Sequence, residues 1–389
     1  MSTATPPKDF GFGLDEEMLR DLARKFLDEK LPVERLRTLV AGDHQAVYEQ
    51  GQRPAWDEGL WKEMVELGWP GLAVPEQAGG VGFKTVGIAA LVEEAGRHAL
   101  PSPLLASLCA SFVLREADAA AAKPWLARIA LGGATSLAIT NAQGSWEPDD
   151  SGVSAREDGD ALRLSGAAHF VQDALKAGAF VVSARRGGDL LLCVVPAEAE
   201  GLRVEQDHIH DLTRDQATLH FNDVAVPALH VVSRDAADVL RRAWPALLVT
   251  VAADLCGSSE WQLQTTVEYA RNRVQFDHPL GFFQAVKHPL VDAMLAIDRA
   301  RSLLYHAACC IDQGGDDAES AARMAKSAAS DAGAFTSSRS VQLHGGIGFT
   351  WECDVHLYFK RSLHNQALYG DGIHQRRKLA DALIGELER

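Results

Sequence analysis

Apolar residues recur at helical spacing through the first third of the chain. Leu14-Asp-Glu-Glu-Met18 opens one run, which continues through Leu19, Leu22, Phe26 and Leu27, positions that fall on one face of a 3.6-residue helix. Residues 56–67 repeat the pattern with Trp61, Met64, Val65 and Leu67, and stop at Gly68-Trp-Pro-Gly71, a turn signal. Leu72 to Glu76 leads into Gly79-Gly80-Val-Gly82, which reads as a flexible loop. Helical spacing resumes over 88–97 and 104–116. Near Leu131 the pattern changes. Short β-type runs follow at 136–140, 161–170, 179–184, 190–195, 217–221 and 230–232, separated by turn residues such as Gly166, Gly187-Gly188, Pro196 and Asn222-Asp223. Strands at this spacing predict a small barrel or sandwich. From about Ala236 long helical patterns return at 239–271, 284–313, 316–344, 352–368 and 375–388. Long helices on short loops predict an antiparallel bundle. The expected fold class is mainly α with a central β domain: helical residues 1–130, a β domain at 131–235 and a helical bundle at 236–389. No internal repeat is visible.

Composition narrows the function classes. A chain of 389 residues is too long for one ordinary core and predicts two or three packed units. A net charge of −15 argues against nucleic acid or an anionic membrane surface as the main partner. An anionic small ligand would need a local gathering of cations. The six cysteines form no Cys-x-x-Cys pair and no His/Cys cluster with metal spacing. They read as small buried hydrophobes in a reducing compartment, and no metal site is expected. The first twenty residues lack a basic start and an apolar core, so no secretory signal is expected. The apolar run 243–257 is short and contains Pro245 and Asp254, so no membrane span is expected. The expected location is cytoplasmic.

Two stretches carry candidate chemistry. The first, 269–288, reads YARNRVQFDHPLGFFQAVKH and sets Arg273, Gln275, Phe276 and Gln284 around a Pro-Leu-Gly turn. A guanidinium forms fork-shaped hydrogen bonds to phosphate oxygens, so this grouping suits a nucleotide diphosphate. The same residues also fit a surface cation beside a core aromatic. The second, 342–352, reads QLHGGIGFTWE. Gly345 and Gly346 let the backbone approach a ligand, and a following helix start offers N–H groups to an anion. The alternative is a glycine-rich helix stop.

Together with the helix–β–helix order, these stretches resemble the acyl-CoA dehydrogenase family over nearly the whole chain. RVQFDHPLGFFQAVKH is similar to its Arg-x-x-Phe…Pro-Leu…Phe-Gln signature and QLHGGIGFTWE to its Gln-x-x-Gly-Gly signature. Phe221-Asn-Asp-Val-Ala-Val-Pro227 and Glu76-Gln-Ala-Gly-Gly80 also fit the family. The resemblance implies FAD as acceptor of a hydride from Cβ of an acyl-CoA. A carboxylate removes the Cα proton, giving a trans-2-enoyl-CoA. It also implies an electron-transfer flavoprotein as electron acceptor and a tetramer in which each FAD is shared between subunits. By the same resemblance Arg273 binds the pyrophosphate and Phe276 and Gln284 flank it. Gln342, Gly345 and Gly346 contact the same ADP half.

The departures from the family pattern all fall on the flavin-ring and chemistry side. A Thr-Glu-Pro…Gly-Ser element is represented by Thr140-Asn-Ala-Gln-Gly-Ser145. A Lys-x-Trp-Ile-Thr element is represented by Ala168-His-Phe-Val-Gln172, which keeps an aromatic in Phe170 and loses the hydroxyl. The usual glutamate base falls on Gly370, or on Tyr369 if the register slips. The alternative family position falls near Leu247. None is a carboxylate. Asp371 is the nearby candidate, against its reading as an exposed turn residue. His169, His208, His210 and His344 read as structural or solvated. Lys360-Arg361 and Arg376-Arg377-Lys378 read as helix surface, with contact to a CoA phosphate as the alternative. This direction of loss is expected of a supporting subunit in a heteromeric acyl-CoA dehydrogenase, similar to the α2β2 enzymes of bacterial steroid side-chain breakdown. Such a subunit supplies the ADP half of a partner's FAD site. Two alternatives stay open: a self-sufficient homotetrameric dehydrogenase with a displaced carboxylate, and a non-redox acyl-CoA-binding protein of the same fold.

Overall fold

The computed structural model describes residues 10–41 and 56–385. The first nine residues of the segment searched for a secretory signal, and the end of the last expected helix at Glu388, lie outside the described residues. The chain forms two compact units. One comprises Met1–Gly42, Thr85–Leu100 and Leu248–Arg389; the other comprises Asp43–Lys84 and Pro101–Leu247.

The second unit carries the sheet. Helices α3 (Glu58–Glu66), α5 (Leu104–Arg115) and α6 (Ala119–Ala130) belong to it. Helix α6 falls within the stretch 1–130 expected to be helical, although it was not set out as a separate element. Asp118 makes it a helix, its carboxylate accepting from the N–H groups of Ala120 and Ala121 at 3.0 Å, which satisfies donors the first turn leaves open. The strands are β1 (Thr135–Ala138), β2 (Val153–Asp158), β3 (Ala161–Gln172), β4 (Ala179–Arg186), β5 (Asp189–Pro196), β6 (Leu202–Gln206), β7 (Gln216–Pro227) and β8 (Val231–Ser233). They form one sheet in the order β6-β7-β3-β2-β4-β5-β8, with β1 paired in parallel to β4. The core holds Phe180, Val182, Leu191, Cys193, Val195, Leu219 and Val224. Strands β2 and β6 were not expected from the pattern, because VSARED and LRVEQ are largely exposed and polar. The glycine segment after Glu76 is not a flexible loop. Val81 donates to Gly71 O at 3.0 Å, Gly82 to Val74 O at 2.8 Å and Phe83 to Leu72 O at 2.8 Å. A Cβ on Gly80 would lie 2.2 Å from Val74 O, so only glycine allows this approach.

The first unit contains α1 (Leu14–Lys30), α2 (Val33–Ala41), α4 (Thr85–Arg97), α8 (Gln284–Gln313), α9 (Ala318–His344), α10 (Val355–Ala367), α11 (Gly372–Ile384) and the greater part of α7 (Ala236–Asn272). The first two N–H groups of α4 donate to the Asp312 carboxylate on α8 at 2.7 and 3.0 Å. Helices α4 and α7 approach through glycine. A Cβ on Gly257 would lie 1.8 Å from Glu93 O, and one on Gly96 would lie 2.3 Å from Asp254 O. One expectation is corrected here. Arg361 is 1% exposed, not on a helix surface. Its Nε and NH2 donate to both oxygens of buried Asp254 at 2.8 and 2.6 Å, and Asn365 donates to the same carboxylate at 2.7 Å. A buried guanidinium requires this compensation, and it removes Arg361 from contact with a CoA phosphate. Arg376 is exposed as expected and pairs with Asp331 at 2.6 Å.

Candidate functional site

The stretch after α7 folds as a tight hairpin. Val274–Gln275 pairs antiparallel with His278–Pro279. The two connecting residues, Phe276 and Asp277, have φ of 54° and 63°. That matches the two-residue turn whose twist suits antiparallel strands, although neither residue is glycine and such φ values strain a side-chain-bearing residue. Leu280 closes the hairpin by donating to Arg273 O at 2.8 Å. The turn holds the Phe276 ring 85% exposed, with Phe283 edge-on at 6.1 Å. Arg273 is exposed, and among the described residues its guanidinium has no hydrogen bond or ion pair. Gln284 opens α8 and is exposed.

The second stretch ends α9. Gln342 is exposed, and Gly345 leaves the helix at φ 65°. No atom lies within 4 Å of where a Cβ would stand on Gly345 or Gly346, so their backbone is open to a ligand. Gly348 is different: a Cβ there would meet Val341 O at 2.6 Å. The two stretches are brought together by side chains between them. Tyr269, one helical turn before Arg273, stacks on His344 at 4.3 Å between centroids. Below that stack, Thr266 and Ser340 hydroxyls share a hydrogen bond of 2.7 Å. Burial pushes His344 below its ordinary value, against the opposing bond to Ser340 O, so a neutral imidazole forms the stack. Its structural reading holds. The importance of Tyr269 was not assigned from sequence, although its position four residues before Arg273 was the available signal. All six expected cofactor residues are therefore exposed or have open backbone. Exposed apolar side chains lie on the hairpin at Val274, in the turn after it at Phe282, and along α8 at Val291, Met294 and Leu295.

The turn where the family resemblance places a base is built differently. Tyr369 has φ 57° and Gly370 φ 90°, and both are buried. Gln375 donates to Tyr369 O at 2.7 Å and is itself held by Arg323 at 2.9 Å. Lys326, fully buried, donates at 3.0 Å to each of Ser330 Oγ, Gln366 O and Gly370 O. A Cβ on Gly370 would stand 2.4 Å from His374 Cδ2 and 2.9 Å from Gln375 Nε2. Asp371 is exposed and caps α11, its Oδ1 accepting from His374 N at 2.8 Å. Leu247 is fully buried and apolar.

Burial pushes the Lys326 ammonium down to about 7, with Asp371 opposing. An unfolded lysine keeps its proton to its ordinary value near 10.5. The unfolded chain therefore binds the extra proton between those limits, and stability from this group rises with pH across the window. It is lost as pH falls to about 7. The stability difference between the wild type and Lys326→Met should accordingly shift toward the wild type between pH 7 and pH 10. Urea midpoints at the two pH values check this; a flat difference overturns it.

In the second unit, the residues at the positions that the resemblance assigns to the flavin ring bond to their own segment or to the neighbouring strand β7. Asn141 Oδ1 accepts from Gln143 N and Ser145 N at 3.0 and 3.2 Å. Gln172 Nε2 donates to Phe170 O at 3.1 Å and Gln216 Oε1 at 2.9 Å. Phe170, at φ 57°, keeps its ring 37% exposed. No group of three or more metal-ligating side chains occurs among the described residues. No helix among them is long and apolar enough to cross a membrane.

Comparison with known proteins bears on the family and the fold. Residues 14–133 match the acyl-CoA dehydrogenase N-terminal domain and residues 249–384 the acyl-CoA dehydrogenase C-terminal domain. The chain is 30% identical to the acyl-CoA dehydrogenase IpdE2 of Mycobacterium tuberculosis, covering 92% of each. The fold superposes on a chain of the ChsE4-ChsE5 complex from Mycobacterium tuberculosis with a TM-score of 0.87 at 26% identity, covering 98% of this chain and 100% of that one. A variant of the Tcur3481-Tcur3483 steroid ACAD matches with a TM-score of 0.83 at 29% identity, covering 95% and 97%. Members of this family are FAD-dependent oxidoreductases. With its exposed Arg273 hairpin, its open Gly345-Gly346 backbone and a sequence match along nearly its full length, the chain belongs to the acyl-CoA dehydrogenase family.

Proposed function

We propose that this chain is the supporting subunit of a heteromeric acyl-CoA dehydrogenase, completing the ADP half of an FAD site whose reactive ring is served by a homologous partner. The observation that carries this reading is the Gly370 turn. It is ordered by Lys326 and Gln375, has no carboxylate at position 370 and no room for one at Cβ there, and the neighbouring Asp371 carboxylate is engaged in capping α11. The ADP-side residues remain available by contrast. The open backbone of Gly345 and Gly346 and the exposed Arg273 fit a dinucleotide. Arg273 would hold the pyrophosphate, with Phe276, Gln284 and Gln342 around it. When bound, FAD supplies a hydride acceptor for acyl-CoA oxidation. The exposed apolar side chains on the hairpin and α8 suit burial against a homologous subunit. The names of the similar ChsE4-ChsE5 complex and Tcur3481-Tcur3483 steroid ACAD support a heteromeric assembly and a steroid-derived acyl group. An electron-transfer flavoprotein is the corresponding electron acceptor.

The chain should be purified alone and again after co-expression with a family member that carries the glutamate. Alone it should show no stoichiometric flavin absorbance and no acyl-CoA turnover; together the two chains should show both. Stoichiometric flavin with turnover by the chain alone overturns the reading. In the co-purified assembly, Arg273→Ala should weaken FAD binding by about 10- to 100-fold, the loss of a charge-assisted hydrogen bond worth about 1.5–3 kcal/mol. Flavin retained through dialysis measures it, and unchanged retention removes Arg273 from the site.

A further inference from the structure

The sheet of the second unit carries a further arrangement beside Phe170 and Gln172, distinct from the proposed ADP-side residues. Strand β3 breaks register against β7 between Ala168 and Val171. The two residues in this bulge are His169 and Phe170, and Phe170 takes φ 57°. Bulges of this kind re-aim side chains and interrupt pairing. His169 is half-buried, and its N–H donates to Thr140 O at 2.9 Å. Its Nδ1 lies 3.3 Å from Thr218 Oγ1 on β7. Thr218 Oγ1 in turn donates to Asp207 Oδ1 at 3.1 Å. The other carboxylate oxygen accepts from Gln216 Nε2 at 2.8 Å, and Gln216 is held by Gln172. The carboxylate is therefore fixed at both oxygens.

The order of donors sets the tautomer. An ionised carboxylate only accepts. Thr218 spends its hydroxyl hydrogen on Asp207, so its lone pair accepts from His169 Nδ1–H. The remaining lone pair of the neutral imidazole is then on Nε2, which no described residue bonds. We infer that Asp207, Thr218 and His169 form an acid–base relay with Nε2 of His169 as its working end, for a ligand carrying an acidic O–H or N–H. In the transfer, the ligand's O–H or N–H bond breaks and its electron pair stays on the ligand. The proton bonds to Nε2, and Nδ1–H stays on Thr218. The imidazolium charge faces Asp207 through the hydroxyl. No electron changes hands, and the inference is independent of the proposed FAD role.

The test uses the full chain labelled with 15N histidine. In its neutral form, His169 should show a protonated Nδ1 and an unprotonated Nε2. Asp207→Asn and Thr218→Val should each shift the tautomer ratio toward Nε2–H by about fivefold, one ordinary hydrogen bond's worth. Should Thr218→Val not fold, Asp207→Asn decides alone, since the amide is isosteric. Diethyl pyrocarbonate supplies a readout that a structural hydrogen bond would not move. It should label His169 at Nε2 faster than exposed His208, and Asp207→Asn should remove that advantage. A protonated Nε2 in the wild type, an unshifted ratio in Asp207→Asn, or labelling slower than at His208 overturns the relay.

Discussion

Gly370→Glu, the substitution that writes the family's base back into the sequence, is expected to leave acyl-CoA turnover of the chain alone at background and to lower its stability by about 2–6 kcal/mol. A positioned base contributes roughly 10²- to 10⁴-fold in rate, so restored function would be easy to see. Two features oppose it. Gly370 sits at φ 90°, where a side-chain-bearing residue is strained by about 1–3 kcal/mol. Its Cβ would also fall 2.4 Å from His374 Cδ2 and 2.8 Å from His374 Cγ, so His374 or the backbone of α11 must move, an overpacking cost of about 1–3 kcal/mol. The double variant Gly370→Glu with His374→Ala should recover part of the stability, because the ring is removed, leaving the φ strain and the 2.9 Å approach to Gln375 Nε2. Urea denaturation separates these terms, and a solvent-exchange assay of the acyl-CoA α-proton reads the chemistry. If Gly370→Glu alone is as stable as the wild type and exchanges the α-proton, the turn is a vacated active site that one residue can refill. The supporting-subunit reading would then lose its main physical argument.

How far the sequence reaches can be judged from particular residues. Helix α8 was legible at both ends. The Pro-Leu-Gly turn sets its start at Gln284, and Gly314 leaves the helix at φ 64° just after Gln313. The Arg273 and Gly345-Gly346 stretches were legible because their chemistry is local: a cation, an aromatic and open glycine backbone need no distant partner to be recognised. Strands β2 and β6 were not, since their alternation rests on only two apolar positions each, Val153 and Ala155 or Leu202 and Val204, among polar neighbours. The burial of Arg361 was not legible either. A cation is placed inside only when a carboxylate is delivered to it, and Asp254 stands 107 positions earlier in the chain. The same holds for the Gly370 turn. Nothing local marks Lys326, whose three acceptors come from Ser330, Gln366 and Gly370. Sequence therefore marked the exposed residues of the proposed FAD site, and the long-range polar compensation that shapes the turn appeared only in three dimensions.

Asp254 is expected to be among the most sensitive side chains of the first unit. Asp254→Ala should cost about 3–5 kcal/mol, because it leaves the Arg361 guanidinium buried without its compensating carboxylate. The geometry supports the upper part of that range. Arg361 meets both oxygens of Asp254 through two nitrogens at 2.8 and 2.6 Å, and Asn365 adds a third donor at 2.7 Å. The group cannot turn to water without moving α10, since its exposure is 1%. Nor can α4 adjust cheaply, because Gly96 already lies against the Asp254 backbone with no space for a Cβ. Asp254→Asn should be milder, since the amide keeps one acceptor at the same place but not the charge. The pair's net worth is a separate quantity. Two charges removed from water repay their desolvation only in part, so replacing both residues with apolar ones of similar volume, Asp254→Leu with Arg361→Met, should recover most of the loss seen in Asp254→Ala. Thermal and urea unfolding of the single and double variants form the cycle that decides this. Near-equal losses in Asp254→Ala and in the double variant would show that shape and hydrogen bonding at Asn365, rather than compensation of charge, hold α10 to α7.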